Sequence, residues 1–294
     1  MVTPSCNITF CSPYEKHARR QRMLRPFIRH LRNIKVNKGV ENMEKLIFKN
    51  SRGLSLVGNL YTSDSNSIVI MAHGFTNNKS SQGRFDKIAE ALKKQHFNVF
   101  AFDFSGCGES APDILNAANE VDDLNSAIEF MKSKGYQSIA LFGNSLGSLI
   151  CLRCFRPEIE TMVLMGALTH SMKYDWNEEF TQEQIIELDR KGFITLNSLE
   201  LGIRRVGHQM LQDFGEIDQE KLLKDVSCPV LIIHGNNDED KEELQLLANT
   251  KKGLHLLSET SELVVIDGAK HGCREHLDRV IELTTEWYLK HLGK

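Results

Sequence analysis

A Gly-x-Ser-x-Gly segment at residues 143–147 constrains the fold of this 294-residue chain more than any other feature. The apolar run before it, residues 138–142, has the composition of a buried strand, and the apolar run after it has that of a helix. A Gly-x-Ser-x-Gly turn between a strand and a helix is typical of a nucleophile elbow, which holds the serine in a strained backbone conformation above the sheet edge. The two glycines fit because chain packs against chain on both sides of the turn. The sequence therefore predicts that Ser145 is a nucleophile.

A serine hydroxyl attacks efficiently only when a base takes its proton and a third group orients that base. Two later apolar runs, 229–233 and 263–266, read as buried parallel strands, and each ends in a loop with a suitable side chain. Asp238 follows the first strand and His271 follows the second. Because parallel sheets place ligands at the carboxyl ends of their strands, we expect Ser145, Asp238 and His271 to converge as a catalytic triad.

Other residues compete for the two supporting roles. Glu239 and Asp240 also follow the strand, but they resemble the opening of the next helix, where acids commonly complement the helix dipole. His276 lies inside the last helical pattern, which favours a surface or half-buried histidine. His73 and His234 each precede a glycine at a strand end, and a structural or supporting role is expected for both.

The negative oxygen of an acyl-transfer intermediate needs N–H donors. One expected donor is the backbone N–H of Leu146, which follows Ser145 at the positive end of a helix. The second comes from the exit loop of the strand at 68–72, where His73-Gly74-Phe75 points to the N–H of Phe75. Such donors contribute about 2.7–4 kcal/mol each to the stabilisation of an oxyanion.

Taken together, these motifs resemble those of serine hydrolases of the α/β-hydrolase superfamily, within the esterase and lipase group that includes cinnamoyl and feruloyl esterases. The resemblance covers residues 45–294 and rests on five segments: 73–79, 102–110, 143–147, 234–238 and 268–272. It implies an α/β fold with a mostly parallel central sheet, helices on both faces, and a cap insertion between the sixth and seventh strands.

The resemblance also implies roles for individual residues. By position, Ser145 is the nucleophile, His271 the base and Asp238 the group that orients it, with Phe75 and Leu146 as oxyanion donors. Asp103, which follows the strand at 99–102, could itself be the catalytic acid, but in the family this residue is more often a structural one that braces a turn near the oxyanion loop.

Two positions depart from the family pattern. Asn144 stands where a histidine usually precedes the nucleophile, and the hydrophobic-Pro pair that often follows the acid is missing after Asp238.

The spacing of the strand and helix patterns predicts one α/β domain with additions. We expect a basic extension at 1–42, a hydrolase core at 43–167 and 228–294, and a cap at 168–227. The aromatic residues of the cap are candidate walls of the substrate pocket, although each could instead form the cap's own core. The candidates are Trp176, Phe180, Phe193 and Phe214, with Ile194 and Leu199 beside them.

Nine lysines and arginines lie between Lys16 and Lys38, with Glu15 as the acidic residue nearby. A solvated extension, a segment that contacts a membrane surface, and an organelle presequence all fit this arm. Its removal would leave a stretch from Met43 that could by itself be a complete catalytic domain.

Composition predicts neither a cofactor nor a metal. The seven cysteines are odd in number and scattered, which favours a reducing, cytoplasmic compartment over a disulfide framework. Cys151 and Cys154 form a C-x-x-C pattern, but inside a helix, where small apolar residues simply pack. No zinc spacing or Gly-rich phosphate loop occurs in the sequence, and no apolar run approaches the ~20 residues that span a bilayer.

The sequence therefore predicts a serine hydrolase that cleaves carboxylic esters of small or medium acyl groups through an acyl-enzyme. Its expected partner is a small-molecule ester, with no nucleic acid, and its oligomeric state stays open. The same residues would serve a thioesterase, a lysophospholipase or an acyltransferase. A non-catalytic ligand receptor and a peptidase are further alternatives.

Overall fold

The structure, a computed structural model, describes residues 43–293. The basic arm at 1–42, with its expected targeting or membrane role, lies outside the described residues.

Eight strands form a central sheet in the order β1-β2-β4-β3-β6-β7-β10-β11. β1 and β2 form the opening antiparallel hairpin that the sequence predicts, β2 pairs antiparallel with β4, and the remaining neighbours pair in parallel. The strands of this sheet are β1 (Met43–Lys49), β2 (Ser55–Tyr61), β3 (Ser67–Ala72), β4 (Asn98–Phe102), β6 (Ser138–Asn144), β7 (Ile159–Met165), β10 (Val230–Gly235) and β11 (Glu262–Ile266).

Helices cover both faces of the sheet, so its central strands are apolar on both sides. The described helices are α1 (Arg84–Lys94), α2 (Ala117–Ser133), α3 (Leu146–Arg153), α4 (Trp176–Glu179), α5 (Gln182–Lys191), α6 (His208–Asp213), α7 (Gln219–Leu223), α8 (Lys241–Gly253) and α9 (Leu277–His291), with short 3₁₀ turns at Leu254–Leu256 and Arg274–His276. Ile68 and Ile70 of β3 belong to the core beneath α2, α3 and α8, whereas Val69 and Met71 belong to the core beneath α1 and α9. This alternation follows the two-residue period of a strand.

The insertion occupies the connection between β7 and β10, which are the sixth and seventh strands of the central sheet in chain order. It contains α4 to α7 and an antiparallel hairpin of β8 (Phe193–Ser198) and β9 (Gly202–Gly207). The short strand β5 (Ile114–Leu115), from the loop after β4, pairs in parallel with β9 and completes a second, three-stranded sheet. The cap hairpin is therefore joined by backbone hydrogen bonds to the hydrolase core.

Across residues 43–293, every helix is too short or too polar to cross a bilayer.

Candidate active site

Ser145 joins β6 to α3 in a backbone conformation that non-glycine residues rarely adopt, with φ 54° and ψ −122°. The chain around it is packed too tightly for side chains at the two flanking glycines. A Cβ added to Gly143 would lie 2.6 Å from Cα of Ser148, and one added to Gly147 would overlap the carbonyl oxygen of Ala72. The geometry matches the nucleophile elbow predicted from the sequence.

His271 follows β11, and its ring is held by a buried carboxylate. Nδ1 of His271 donates to Oε2 of Glu243 at 2.5 Å, and the Glu243 side chain is fully buried. The backbone N–H of His271 donates to Oδ2 of Asp240 at 2.7 Å. Oδ1 of Asp240 accepts the N–H of Glu243 at 3.0 Å and caps α8. Asp240 thus ties the start of α8 to the loop that carries His271.

The prediction that Asp238 orients His271 is wrong, because the carboxylate that holds the ring is Glu243. The loop after β10 turns at Asn237, whose N–H bonds the carbonyl of Ala269 at 3.1 Å, and it leaves the Asp238 side chain exposed. The first turn of α8 then returns Glu243 to the same sheet edge. The sequence does contain a signal for this arrangement. Asp240 and Glu243 have the spacing of a helix N-cap and an acidic third helical residue, and the side chain of such a residue points back toward the cap.

A second histidine shares the carboxylate. Nδ1 of His234, the penultimate residue of β10, lies 2.8 Å from Oε1 of Glu243, and His234 is fully buried. Nε2 of His234 lies 2.9 Å from the hydroxyl of Thr250, which fixes the opposite side of the ring. The N–H of Gly235 also donates to Oε1 at 2.9 Å. Glu243 is therefore fixed at both oxygens, and His234 has the supporting role that its position predicts.

The hydrogen bonds that Glu243 accepts from His234 and His271 favour the charged form of its carboxylate. Burial by itself would raise the pKa of Glu243, but the hydrogen bonds from His234 and His271 outweigh it and lower the pKa from 4.5 to about 2. Burial opposes the protonation of His271, yet the hydrogen bond to Glu243 prevails and raises the pKa of His271 above its ordinary 6.5. The imidazole thus becomes a stronger base than a free one.

Ser145 and His271 both adjoin the two residues at the end of β7. The N–H of Ser145 donates to the carbonyl of Met165 at 2.9 Å. A Cβ added to the next residue, Gly166, would lie 2.7 Å from Cε1 of His271. The sheet therefore brings the predicted nucleophile and base to the same edge, with the glycine making room for the ring.

The loop after β3, which carries the expected oxyanion donor Phe75, lies beside the elbow. The carbonyl of Gly74 accepts hydrogen bonds from Nδ1 of His73 at 2.9 Å and from the N–H of Asn77 at 3.1 Å. In a planar trans peptide the N–H of Phe75 points opposite to that carbonyl. A Cβ added to Gly74 would lie 3.3 Å from Cβ of Ser145, which places this peptide beside the elbow. The N–H of Leu146 lies at the start of α3, on the other side of Ser145.

His73 is a buried, neutral support for this loop. The N–H of Phe104 donates to Nε2 of His73 at 3.2 Å, so Nδ1 carries the proton that goes to Gly74. Burial lowers the pKa of His73 to about 4. The structure agrees with the expected structural role.

Asp103 braces the neighbouring turn, as the resemblance implies. Its carboxylate accepts from the N–H of Lys79 at 2.6 Å, from Nζ of Lys79 at 2.7 Å and from the N–H of Glu109 at 2.9 Å. These three donors belong to the loops after β3 and β4, so the carboxylate of Asp103 is committed to those loops rather than to His271.

Three of the predicted pocket aromatics lie together next to the oxyanion loop. The ring of Phe214 is 5.4 Å from that of Phe75 and 6.0 Å from that of Trp176, centroid to centroid. Trp176 stacks on Phe180 at 5.6 Å and on Tyr174 at 4.8 Å. Sequence reasoning missed Tyr174, although it lies two residues before Trp176. Because Phe75 supplies an expected oxyanion donor, this aromatic cluster adjoins the reaction centre.

The other predicted pocket residues lie elsewhere. Phe193 packs against Lys191 and Arg205 of the cap rather than in the aromatic cluster. Ile194 is buried in the core, and Leu199 is fully exposed at the tip of the β8–β9 hairpin. These corrections arise because a hairpin alternates its side chains between the core and solvent.

The cysteines of the C-x-x-C pattern, Cys151 and Cys154, are free thiols buried in and next to α3, which agrees with the packing role expected of them.

Residues 67–184 match the family model of the alpha/beta hydrolase fold. The human serine hydrolase BPHL is 30% identical over 178 residues, covering 54% of this chain and 60% of its own length. A Mycoplasma pneumoniae protein with an esterase/lipase name is 26% identical over 235 residues, covering 69% of this chain and 81% of that protein.

Solved structures agree on the fold. Est1E from Butyrivibrio proteoclasticus, solved with ferulic acid bound, matches with a TM-score of 0.66 at 20% identity, covering 84% of this chain and 98% of Est1E. An esterase domain from a Rhodothermus marinus protein matches with a TM-score of 0.62 at 20% identity, covering 85% of this chain and 99% of that domain. The chain has the alpha/beta hydrolase fold, and it is similar to curated proteins that carry esterase/lipase and serine hydrolase names.

Proposed function

We propose that this protein is a serine hydrolase that cleaves carboxylic esters through an acyl-enzyme. The observation that carries the proposal is the hydrogen bond between the buried Glu243 and the half-buried His271, at the sheet edge where the strained Ser145 also lies. A carboxylate, an imidazole and a strained serine at one sheet edge form the constellation that activates a hydroxyl for acyl transfer.

In the first half-reaction, Oγ of Ser145 attacks the ester carbonyl while Nε2 of His271 takes its proton. Glu243 accepts the Nδ1–H, so that Nε2 is the free basic nitrogen, and its charge stabilises the imidazolium that forms. The carbonyl electron pair moves onto oxygen, and the N–H groups of Phe75 and Leu146 hold that oxyanion. Collapse of the intermediate breaks the C–O bond to the alcohol, which leaves with the proton from His271.

In the second half-reaction, water attacks the acyl-Ser145 bond with His271 again as the base. The tetrahedral intermediate uses the same two N–H donors and collapses to a carboxylic acid and free Ser145. The aromatic cluster of Phe75, Tyr174, Trp176, Phe180 and Phe214 supplies an apolar surface for the part of the substrate next to the carbonyl. This cluster supports substrates with small or medium apolar groups.

The test combines covalent labelling with turnover. A fluorophosphonate probe should label the native protein and should leave Ser145→Ala unlabelled. Native protein should hydrolyse 4-nitrophenyl esters between acetate and palmitate with an optimum that reports the pocket size, and S145A should not. Ser133→Ala is a matched control, since Ser133 is exposed in the last turn of α2, away from the elbow, and the variant should stay labelled. A native protein without labelling and without turnover would overturn the proposal and favour a non-catalytic receptor.

A further inference from the structure

Among residues 43–293, the buried Arg204 of the cap forms no ion pair. Along β9 the side chains alternate: Ile203 is 62% exposed, whereas Arg204 is only 5% exposed and points into the protein. Nε and Nη2 of Arg204 have no hydrogen-bond partner within the part of the chain that the structure describes. Nη1 has only a long contact, 3.4 Å, to the carbonyl oxygen of Ile203. An unpaired buried cation is costly, so its presence calls for an explanation.

Two buried carboxylates of the neighbouring core, those of Asp103 and Asp123, have other cationic partners. Asp103 is held by Lys79, as described above, and Asp123 pairs with Arg52 at 3.0 Å. Glu120 is fully buried, and burial raises its pKa well above its ordinary value, which favours the neutral form of this carboxyl. The thiol of Cys107 adjoins the guanidinium, but burial raises the pKa of that thiol and it stays neutral.

Arg204 also lies close to the oxyanion loop. β9 pairs with β5, which belongs to the same loop as Cys107, and this loop leaves the core directly after Phe104. Phe104 donates to His73, and His73 donates to Gly74 beside Ser145. The pKa of His73, which burial lowers, is lowered further by the charge of Arg204. Arg204 thus lies close enough to the oxyanion loop for its charge to act on His73.

The free atoms of Arg204 have the geometry of a carboxylate receptor. Nε and Nη2 form one edge of the planar guanidinium, and two parallel N–H groups on one edge match the two oxygens of a carboxylate. We infer that Arg204 binds a carboxylate on the substrate, so that this site prefers anionic esters over neutral ones. This inference rests on the proposed function. Because Arg204 is buried, the carboxylate must enter between the β8–β9 hairpin and the core.

The carboxylate can belong to either half of the ester, and two matched pairs distinguish these sources. The first pair is monomethyl terephthalate and dimethyl terephthalate, in which the anionic member has its carboxylate on the acyl side of the ester. The second pair is 4-butyryloxybenzoate and its methyl ester, in which the anionic member has its carboxylate on the alcohol side. Native protein should hydrolyse the anionic member of one pair with a kcat/KM about tenfold or more above that of the neutral member, since a hydrogen-bonded charge pair contributes that much.

Arg204→Met should lose this preference and keep its turnover of the neutral ester, and Arg204→Lys should restore part of it. Arg205→Met is the matched control, because Arg205 is exposed on the outer face of the same strand and its loss changes the net charge equally. R204M should melt at the same or a higher temperature, since it removes an unpaired buried charge. A purely structural arginine would instead make R204M less stable and leave the preference intact.

The inference is overturned if R204M keeps the native ratio between charged and neutral esters, or if native protein favours the neutral member of both pairs. Fluorophosphonate labelling and turnover of neutral esters report the proposed function separately. Titration of S145A with monomethyl terephthalate and with 4-butyryloxybenzoate reports binding without turnover. If S145A binds neither anion more tightly than the S145A/R204M double variant does, Arg204 is not the receptor, whatever the activity of Ser145.

Discussion

Oε2 of Glu243 lies 2.5 Å from Nδ1 of His271, although Glu243 comes five residues after the position that the family pattern gives to the acid. The carboxylate reaches the ring from the first turn of α8 rather than from the loop that ends β10. Asp240 positions the acid, because it caps α8, which carries Glu243, and also accepts the backbone N–H of His271.

Replacement of Glu243 should abolish most of the activity, whereas replacement of Asp238 should not. Glu243→Gln offers an amide where the carboxylate was, so it no longer stabilises the imidazolium or fixes Nδ1 as the protonated nitrogen. We expect kcat/KM for a 4-nitrophenyl ester to fall about a thousandfold or more, as when the acid of a triad is made neutral. Asp238→Asn is the matched control and should stay close to the native value. A large loss in D238N with native activity in E243Q would mean that Asp238, in the loop after β10, is the acid.

The pH dependence of activity should follow His271. The base must be neutral to accept the proton of Ser145, and its pKa lies above the ordinary 6.5 because the hydrogen bond to Glu243 outweighs the effect of burial. Activity should therefore rise with pH through an acid limb centred above 6.5.

The measurement is kcat/KM as a function of pH for the native protein and for E243Q. In E243Q the hydrogen bond to a charged acceptor is lost and burial remains, so the acid limb should move to lower pH. An acid limb at the same pH in both proteins would assign it to a group other than His271.

Much of this site is readable from sequence because its parts are local. The strand, glycines and helix around Ser145 impose the elbow by sterics within a few residues, and the His73-Gly74-Phe75 loop follows its strand directly. The hairpin at 45–61 and the position of the insertion are equally local, since apolar periodicity and loop length mark them.

The acid could not be located in the same way. Which carboxylate meets His271 depends on how the loop after β10 turns, and that turn is set by contacts between Asn237 and residues some thirty positions away. The predicted pocket residues of the cap hairpin lie elsewhere for a related reason. The hairpin exposes Leu199 at its tip, and strand alternation along β9 turns Arg204 inward. The sequence pattern there did not reveal a hairpin.

His234 should act as a positioning residue for the acid. It donates to Oε1 of Glu243 and is fixed in turn by Thr250, so its removal frees one side of a buried carboxylate. In His234→Phe we expect kcat/KM to fall about tenfold to a hundredfold, as for the loss of a hydrogen bond to a charged group, and the acid limb to shift. His234→Gln can still donate to Glu243 and should recover part of the loss. A variant that only loses stability, with native kcat/KM and an unmoved pH profile, would reduce His234 to a packing residue.

His73 should make the protein sensitive to acid. Its folded pKa is about 4, below the ordinary 6.5 of the unfolded chain, because the buried ring disfavours charge. Below pH 6.5 the unfolded chain binds a proton that the folded protein refuses, so the stability from His73 is complete above 6.5 and is lost as the pH falls toward about 4. The loss over this window is about 3 kcal/mol.

His73→Asn tests this, because an asparagine amide can still donate to the carbonyl of Gly74 but does not titrate. Urea unfolding at neutral pH should find the variant less stable, since the N–H of Phe104 loses its acceptor. Near pH 4 the gap between the two proteins should narrow or reverse, because only the native protein has a buried imidazole to protonate. Groups such as His271 and Glu243 titrate in both proteins and cancel in the difference. A gap that is the same at both pH values would mean that His73 contributes nothing to the acid sensitivity of the fold.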